Sequence, residues 1–137
     1  MGTMKSMTMA AAVAALLGAC STAPEQQTRS PQASKELADA LAGRVAGPPQ
    51  RCITTYRTTK VQPIDDFTIL YDQGSTIYVQ NPRGGCPGVG SGNDILVTRQ
   101  TTNQLCDGEI AQTVDLTSRV ERGGCVFGPF VPYTKPR

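Results

Sequence analysis

The sequence predicts a small all-β domain, an antiparallel sandwich or a partly closed barrel, braced by two disulfides and preceded by a short N-terminal helix. Three observations lead there. From Arg51 onward, short runs of β-type residues are separated by Gly, Asn, Asp and Pro, the texture of half-buried antiparallel strands. The same half holds Cys52, Cys86, Cys106 and Cys125, an even number within about 85 residues, as in domains held by a disulfide framework. Composition also divides the chain in two: all seven aromatics fall between Tyr56 and Tyr133, and all four Met within the first nine residues. At 137 residues there is room for one small domain.

Residues 1–19 read as a targeting signal. Lys5 precedes an uncharged, mostly apolar run from Met7 to Leu17. A bilayer span needs about 20 apolar residues, whereas a signal-peptide core needs about 7–15. The run ends in Leu17-Gly18-Ala19-Cys20, a tetrapeptide that resembles the lipobox of bacterial lipoproteins. The resemblance implies cleavage after Ala19, diacylation of the Cys20 sulfur and a new amine open to acylation. Two or three acyl chains anchor stably, at about 0.8 kcal/mol per buried CH₂, where one holds only marginally. Ser21 stands where inner-membrane lipoproteins commonly carry Asp, which implies the outer membrane, facing the periplasm. The other reading is an ordinary secretory signal that leaves Cys20 as an odd thiol.

Residues 20–33 follow as the lipidated cysteine and a polar, Pro-containing tether with almost nothing to bury. Residues 34–47 have the pattern of a short amphipathic helix. Leu37, Leu41 and Val45 recur at i, i+4, i+8, Ala38 and Ala42 widen the stripe, and Ser34 offers an N-cap. Gly43 weakens its interior by about 1 kcal/mol against Ala, and Gly47 with Pro48-Pro49 stops it. A helix this short is marginal alone, so its stripe must dock on the β-domain of residues 48–137.

Six strands are expected there: Cys52–Arg57, Phe67–Asp72, Thr76–Gln80, Ile95–Arg99, Glu109–Leu116 and Val126–Val131. Phe67, Ile69 and Tyr71 share one face; Ile77 and Val79 share another, as do Ile110, Val114 and Leu116. Asp72-Gln73-Gly74-Ser75 suits a hairpin, with Gly74 supplying a positive φ, and Cys106-Asp107-Gly108-Glu109 offers a second turn. Gly128-Pro129-Phe130-Val131-Pro132-Tyr133 suits an edge strand or closing strap, with Phe130 and Tyr133 filling the end of the core. Four cysteines allow three pairings. We expect the local loop Cys86–Cys106, with Cys52–Cys125 tying the first strand to the last. Successive spacings of 34, 20 and 19 residues contain no C-x-x-C pair, which argues against a four-thiolate metal site.

The series Cys52-Ile53, Asp65-Asp66 with Thr68-Ile69-Leu70, Cys86-Pro87-Gly88, Leu105-Cys106 with Gly108, and Cys125-x-x-Gly128-Pro129-Phe130 resembles a family of small bacterial envelope proteins catalogued as a domain of unknown function. The match runs from about Val45 to Tyr133. Similar proteins tend to carry Gly-Asp where this chain has Gly108-Glu109. The resemblance implies the architecture and brings no activity with it.

Charge and composition narrow the function. Thirteen basic and eleven acidic residues leave a formal charge of +2, far from the basic footprint of a nucleic-acid binder. The absence of His excludes Ser-His-Asp and Cys-His catalysis and His-ligated zinc. Asp65-Asp66 is a candidate acidic dyad, although adjacent residues converge only where the backbone turns; Pro63 just upstream predicts a turn there, and Asp at a turn usually caps its own backbone. Asp107 and Glu109, with Asn93-Asp94, are candidate oxygen ligands for calcium, but too few for its six to eight. The Gly-rich stretch of Arg83, Gly84, Gly85, Pro87, Gly88 and Asn93 lacks the Gly-Lys-Ser/Thr ending of a phosphate loop and reads as a long, disulfide-pinned loop able to bind a partner. No catalytic residue, metal or cofactor is assigned. The expectation is a monomeric, lipid-anchored, non-enzymatic module that binds an envelope protein or glycan. The alternatives are an inhibitor of an enzyme such as lysozyme, or a carboxylate-dependent hydrolase using Asp65 or Asp66, with acids some 5–10 Å apart.

Overall fold

The structure, a computed structural model, describes residues 28–57 and 59–137. The signal, the Cys20 lipidation site and most of the expected tether therefore lie outside the described residues. Helix α1 spans Pro31–Ala40, three residues inside the expected tether and well short of residue 47. Two local features move it. Ser30 Oγ accepts from Ala33 N at 3.1 Å, and Pro31 takes the first helical position, where its missing N–H is no loss. Beyond Leu41, Gly43 adopts φ +69° and turns the chain out of the helix. Val45–Ala46 then becomes strand β1 against the last strand of the fold. The expected stripe survives in part: Leu37, Ala40 and Leu41 pack with buried Ala33 on Ile64, Leu70, Ile77 and Val79.

Nine further strands follow: β2 Cys52–Thr54, β3 Lys60–Asp65, β4 Thr68–Asp72, β5 Thr76–Gln80, β6 Asp94–Thr98, β7 Gln104–Cys106, β8 Ile110–Asp115, β9 Glu121–Val126 and β10 Phe130–Thr134. All pairs are antiparallel, in a five-stranded sheet β1-β10-β5-β4-β3, a pair β2-β7 and a three-stranded sheet β6-β8-β9. The sheets do not close into a barrel; β3 and β6 each stand at a free edge. The all-β expectation, with one helix and two disulfides, holds.

The five-stranded sheet is covered on both faces. Leu70, Ile77 and Val79 face the helix. Ile69 and Tyr71 face a second core of Ile53, Cys86, Val89, Leu105, Ala111, Cys125, Phe127 and Phe130. Consequently Thr68–Tyr71 are all buried, as a strand covered on both faces requires. Tyr71 packs edge-on against Phe127 and Phe130, at 6.4 and 5.8 Å between ring centroids. Gln80 is fully buried yet satisfied: its Nε2 donates to Gly128 O at 2.7 Å and its Oε1 accepts from Gly128 N at 3.0 Å. That two-way link, with Asn81 O crowding Gly128, bends the expected single strand 126–131 into a corner between β9 and β10.

Three expectations are corrected. First, the disulfides join Cys52 to Cys106 and Cys86 to Cys125. Cys52 lies directly opposite Cys106 in the β2–β7 register, with Cα atoms 4.0 Å apart. A bridge between Arg83 and Val126 brings the Gly-rich loop alongside β9. Second, β8 turns the other way. Ala111, Thr113 and Asp115 face inward, whereas Ile110 and Leu116 are exposed; a change of one residue in facing inverts every side chain. Gly123 and Gly124 opposite this stretch leave little apolar surface for the outer face to cover. Third, Pro63 lies within β3 rather than in a turn. It is tolerated at an edge strand, and the register shifts between Pro63 and Asp65. The Asp72–Ser75 hairpin stands as expected, with Gly74 at φ +82° and its N–H donating to Asp72 Oδ1 at 2.7 Å.

Candidate binding cleft

The free edges of β3 and β6 border one cleft of about 440 Å³. One end is stopped by the Gly-rich loop, which is less a protruding arm than a wedge. Cys86 and Val89 are buried within it, and Val89–Ser91 form a short 3₁₀ turn. Gly90 rests on the Asp65 backbone so closely that a Cβ there would come within 2.7 Å of it. Cys86 N donates to Asp66 O at 2.6 Å, and Gly90 N to Asp66 Oδ1 at 2.8 Å. The Cys86–Cys125 disulfide fastens the wedge to β9.

Apolar side chains form most of the cleft wall: Val61 and Pro63 from β3, Val89 from the wedge, Ile95 and Leu96 from β6, and Leu116 after β8. Val61, Ile95 and Leu116 remain 48, 44 and 54 % exposed, so the mouth is an apolar surface facing solvent. Two polar groups interrupt it. Tyr71 is 3 % exposed, and its hydroxyl makes no hydrogen bond among the described residues. Burial pushes its phenol well above the usual tyrosine range, so it is a neutral hydroxyl at any physiological pH. Asp94 is 5 % exposed, and its Oδ2 is buried without a partner. Gly88, at φ +88°, lies over that oxygen; a Cβ there would fall 2.2 Å from it.

Arg122 connects Asp94 to Asp115. Its Nε lies 3.4 Å from Asp94 Oδ1, while Nε and the terminal nitrogen both engage Asp115 Oδ2. The other oxygen of Asp115 accepts from Ser118 N at 2.7 Å, Thr117 N at 2.8 Å and Ser118 Oγ at 3.1 Å. The Ser118 amide first, then the Arg122 guanidinium, hold the Asp115 carboxyl well below the usual carboxylate range. A carboxyl whose folded-state value is depressed stabilises the fold above its unfolded value of about 3.9, and that contribution is lost as pH falls below it. Asp115→Asn is therefore expected to unfold at a lower temperature than wild type at pH 7, with the gap narrowing between about pH 4 and pH 2. Thermal melts across that range check it; a gap independent of pH contradicts it.

The other acids singled out in the sequence lie elsewhere and are engaged in turns or ion pairs. Asp65 and Asp66 border a second hollow beside the start of α1. Asp65 Oδ1 accepts from Phe67 N at 2.8 Å and Oδ2 from Arg29 Nε at 2.6 Å, while Asp66 holds the wedge. Arg29 also donates to buried Thr68. Asp107 pairs with Arg83 at 2.6 Å, and Glu109 Oε2 accepts from Cys106 N at 3.0 Å. Gly84, Pro87 and Asn93 are exposed, while Gly85 is buried on the Phe67 ring. Among the described residues no group of three or more Asp, Glu, Cys or His could hold a metal ion, and no helix is long and apolar enough to cross a membrane. Nothing in the sequence pattern marks Tyr71, Val61, Ile95 and Leu116 as site residues. Only Asp94 carried a signal, as an acid beside a Gly-rich stretch.

The chain belongs to a family of unknown function (DUF6491), whose model matches residues 3–125, in keeping with the resemblance carried by the Cys52-to-Phe130 series. No curated protein and no solved structure matches it.

Proposed function

We propose that this chain is a lipid-anchored protein of the bacterial envelope, held through Cys20 at the outer membrane and facing the periplasm. Its β-domain is a non-enzymatic binding module, and the cleft between β3 and β6 is its site. The observation that carries this reading is the cleft: an apolar wall at an unclosed seam, interrupted by the Tyr71 hydroxyl and by the Asp94 carboxylate, one of whose oxygens has no partner. That is the usual make-up of a ligand pocket, whose volume runs to roughly 300–1,000 Å³. The lipobox resemblance at Leu17–Cys20 supports the anchor, and the two disulfides suit an oxidising compartment.

Photo-crosslinking in living bacteria tests the cleft. Benzoylphenylalanine replaces Ile95 at the mouth or, as a control, Lys35 on the outer face of α1, in the full-length protein. Irradiation followed by intact mass measurement is expected to give a discrete adduct at position 95 and none at 35. Equal labelling at both positions, or none at 95, would sink the reading. Membrane fractionation of the Cys20→Ala variant tests the anchor, with release from the membrane expected.

A further inference from the structure

We propose that the ligand of this cleft is an amphiphile with an apolar body and a protonated amine, seated with the amine toward Tyr71 and Asp94. The inference rests on the cleft being the binding site and goes on to its chemistry. The wall of Val61, Ile95 and Leu116 takes the apolar body and gains by losing water. Polar recognition is decided by what the cleft lacks as well as by what it holds. No Lys or Arg lines it, so nothing there compensates an anion. Of its two polar groups, the Asp94 carboxylate, with Oδ2 unpaired, only accepts hydrogen bonds, and the Tyr71 hydroxyl can accept one as well as donate one.

Charge points the same way. Asp94 and Asp115 share the single guanidinium of Arg122, which both its interacting nitrogens commit to Asp115. The trio is left with one formal negative charge, centred on Asp94 beside the cleft. The bare Asp94 Oδ2 lies under Gly88, out of reach of water, so its field is poorly screened within a low-dielectric wall. A cation in the cleft feels that field whether or not it touches the oxygen, and the Tyr71 hydroxyl supplies an acceptor. A strand-like occupant is less well served, because Pro63 and the register shift beside it interrupt the β3 ladder.

Three eight-carbon probes separate the possibilities: octylamine, octanol and octanoate, titrated at pH 7 into the full chain carrying Cys20→Ala so that no detergent competes. Binding is followed by the ¹H–¹⁵N shifts of Gly90, Ile95 and Leu96. Octylamine is expected to bind about tenfold tighter than octanol, with octanoate weakest. Asp94→Asn is expected to bring amine and alcohol within about twofold, and Tyr71→Phe to weaken the amine about threefold while leaving the ring in place. The wild-type ranking stands as a test even if a variant fails to fold. Probes that shift the cleft residues without preferring the amine, or a preference unchanged in Asp94→Asn, overturn the amine and leave the cleft in place. Probes that shift none of these residues overturn both.

Discussion

Replacing Cys86 and Cys125 together by Ala is expected to lower the unfolding free energy by about 4 kcal/mol, read from urea denaturation under non-oxidising handling of the variant. The estimate is the loop-closure entropy of a crosslink across 39 residues of separation. The Cys52–Cys106 crosslink, across 54 residues, carries a similar entropic contribution of about 4 kcal/mol, yet the two are not equivalent. Cys86 and Cys125 are 0 and 3 % exposed, inside the core, and their bond fastens the wedge that stops one end of the cleft. Cys52 is exposed in a two-stranded ribbon, so its loss leaves no cavity. The Cys86/Cys125 variant should therefore be the less stable of the two double variants, and the only one whose Gly88–Gly92 amides gain rapid hydrogen exchange. Equal stability and equal exchange would contradict the wedge.

Phe127→Ala is the second large effect, expected at about 3–5 kcal/mol. The ring is fully buried and packs with Tyr71 and Phe130 at 6.4 and 6.2 Å. Its backbone joins the turn after β7, since Gly108 N donates to Phe127 O and Phe127 N to Glu109 O, both at 2.9 Å. Ala keeps those bonds and removes the ring, leaving a cavity beneath Tyr71. A loss below about 1 kcal/mol would mean that the core collapses freely around the site, contrary to close packing. Calorimetry or urea denaturation reads it directly.

Local chemistry was legible where it decides structure by itself. Thr76–Gln80 is a strand with the bounds its alternation gives, and Asp72-Gln73-Gly74-Ser75 is a hairpin because Gly74 alone there adopts a positive φ without strain. The helix was visible as a stripe, but Ser30-Pro31 won the N-terminus over Ser34 because the cap and the proline act together. What could not be read was partnership at long range. Cysteine pairing follows from which strands lie opposite, and nothing near Cys52 says that its neighbour is β7. The facing of β8 is set by the glycines of β9 and by Arg122 reaching Asp115. Pro63 reads as a turn residue locally and becomes an edge-strand residue only because β4 pairs on one side of it. The cleft was the least legible feature: Val61 and Ile95 belong to strands 34 residues apart in sequence, and Tyr71 in isolation is simply a core aromatic. Asp65 and Asp66 stand out in the sequence as an acidic pair, whereas the carboxylate beside the cleft is Asp94, whose burial no local pattern announces.

The unclosed seam between β3 and β6 is the proposed ligand site. Native mass spectrometry of the full-length protein, released from bacterial membranes in mild detergent, tests it against a Val61→Asp, Ile95→Asp double variant whose substitutions lie at the exposed mouth and leave the core intact. A non-covalent ligand is expected on the wild-type protein and none on the variant. A wild-type protein that comes off the membrane without a ligand, or a variant that retains the same one, would contradict it.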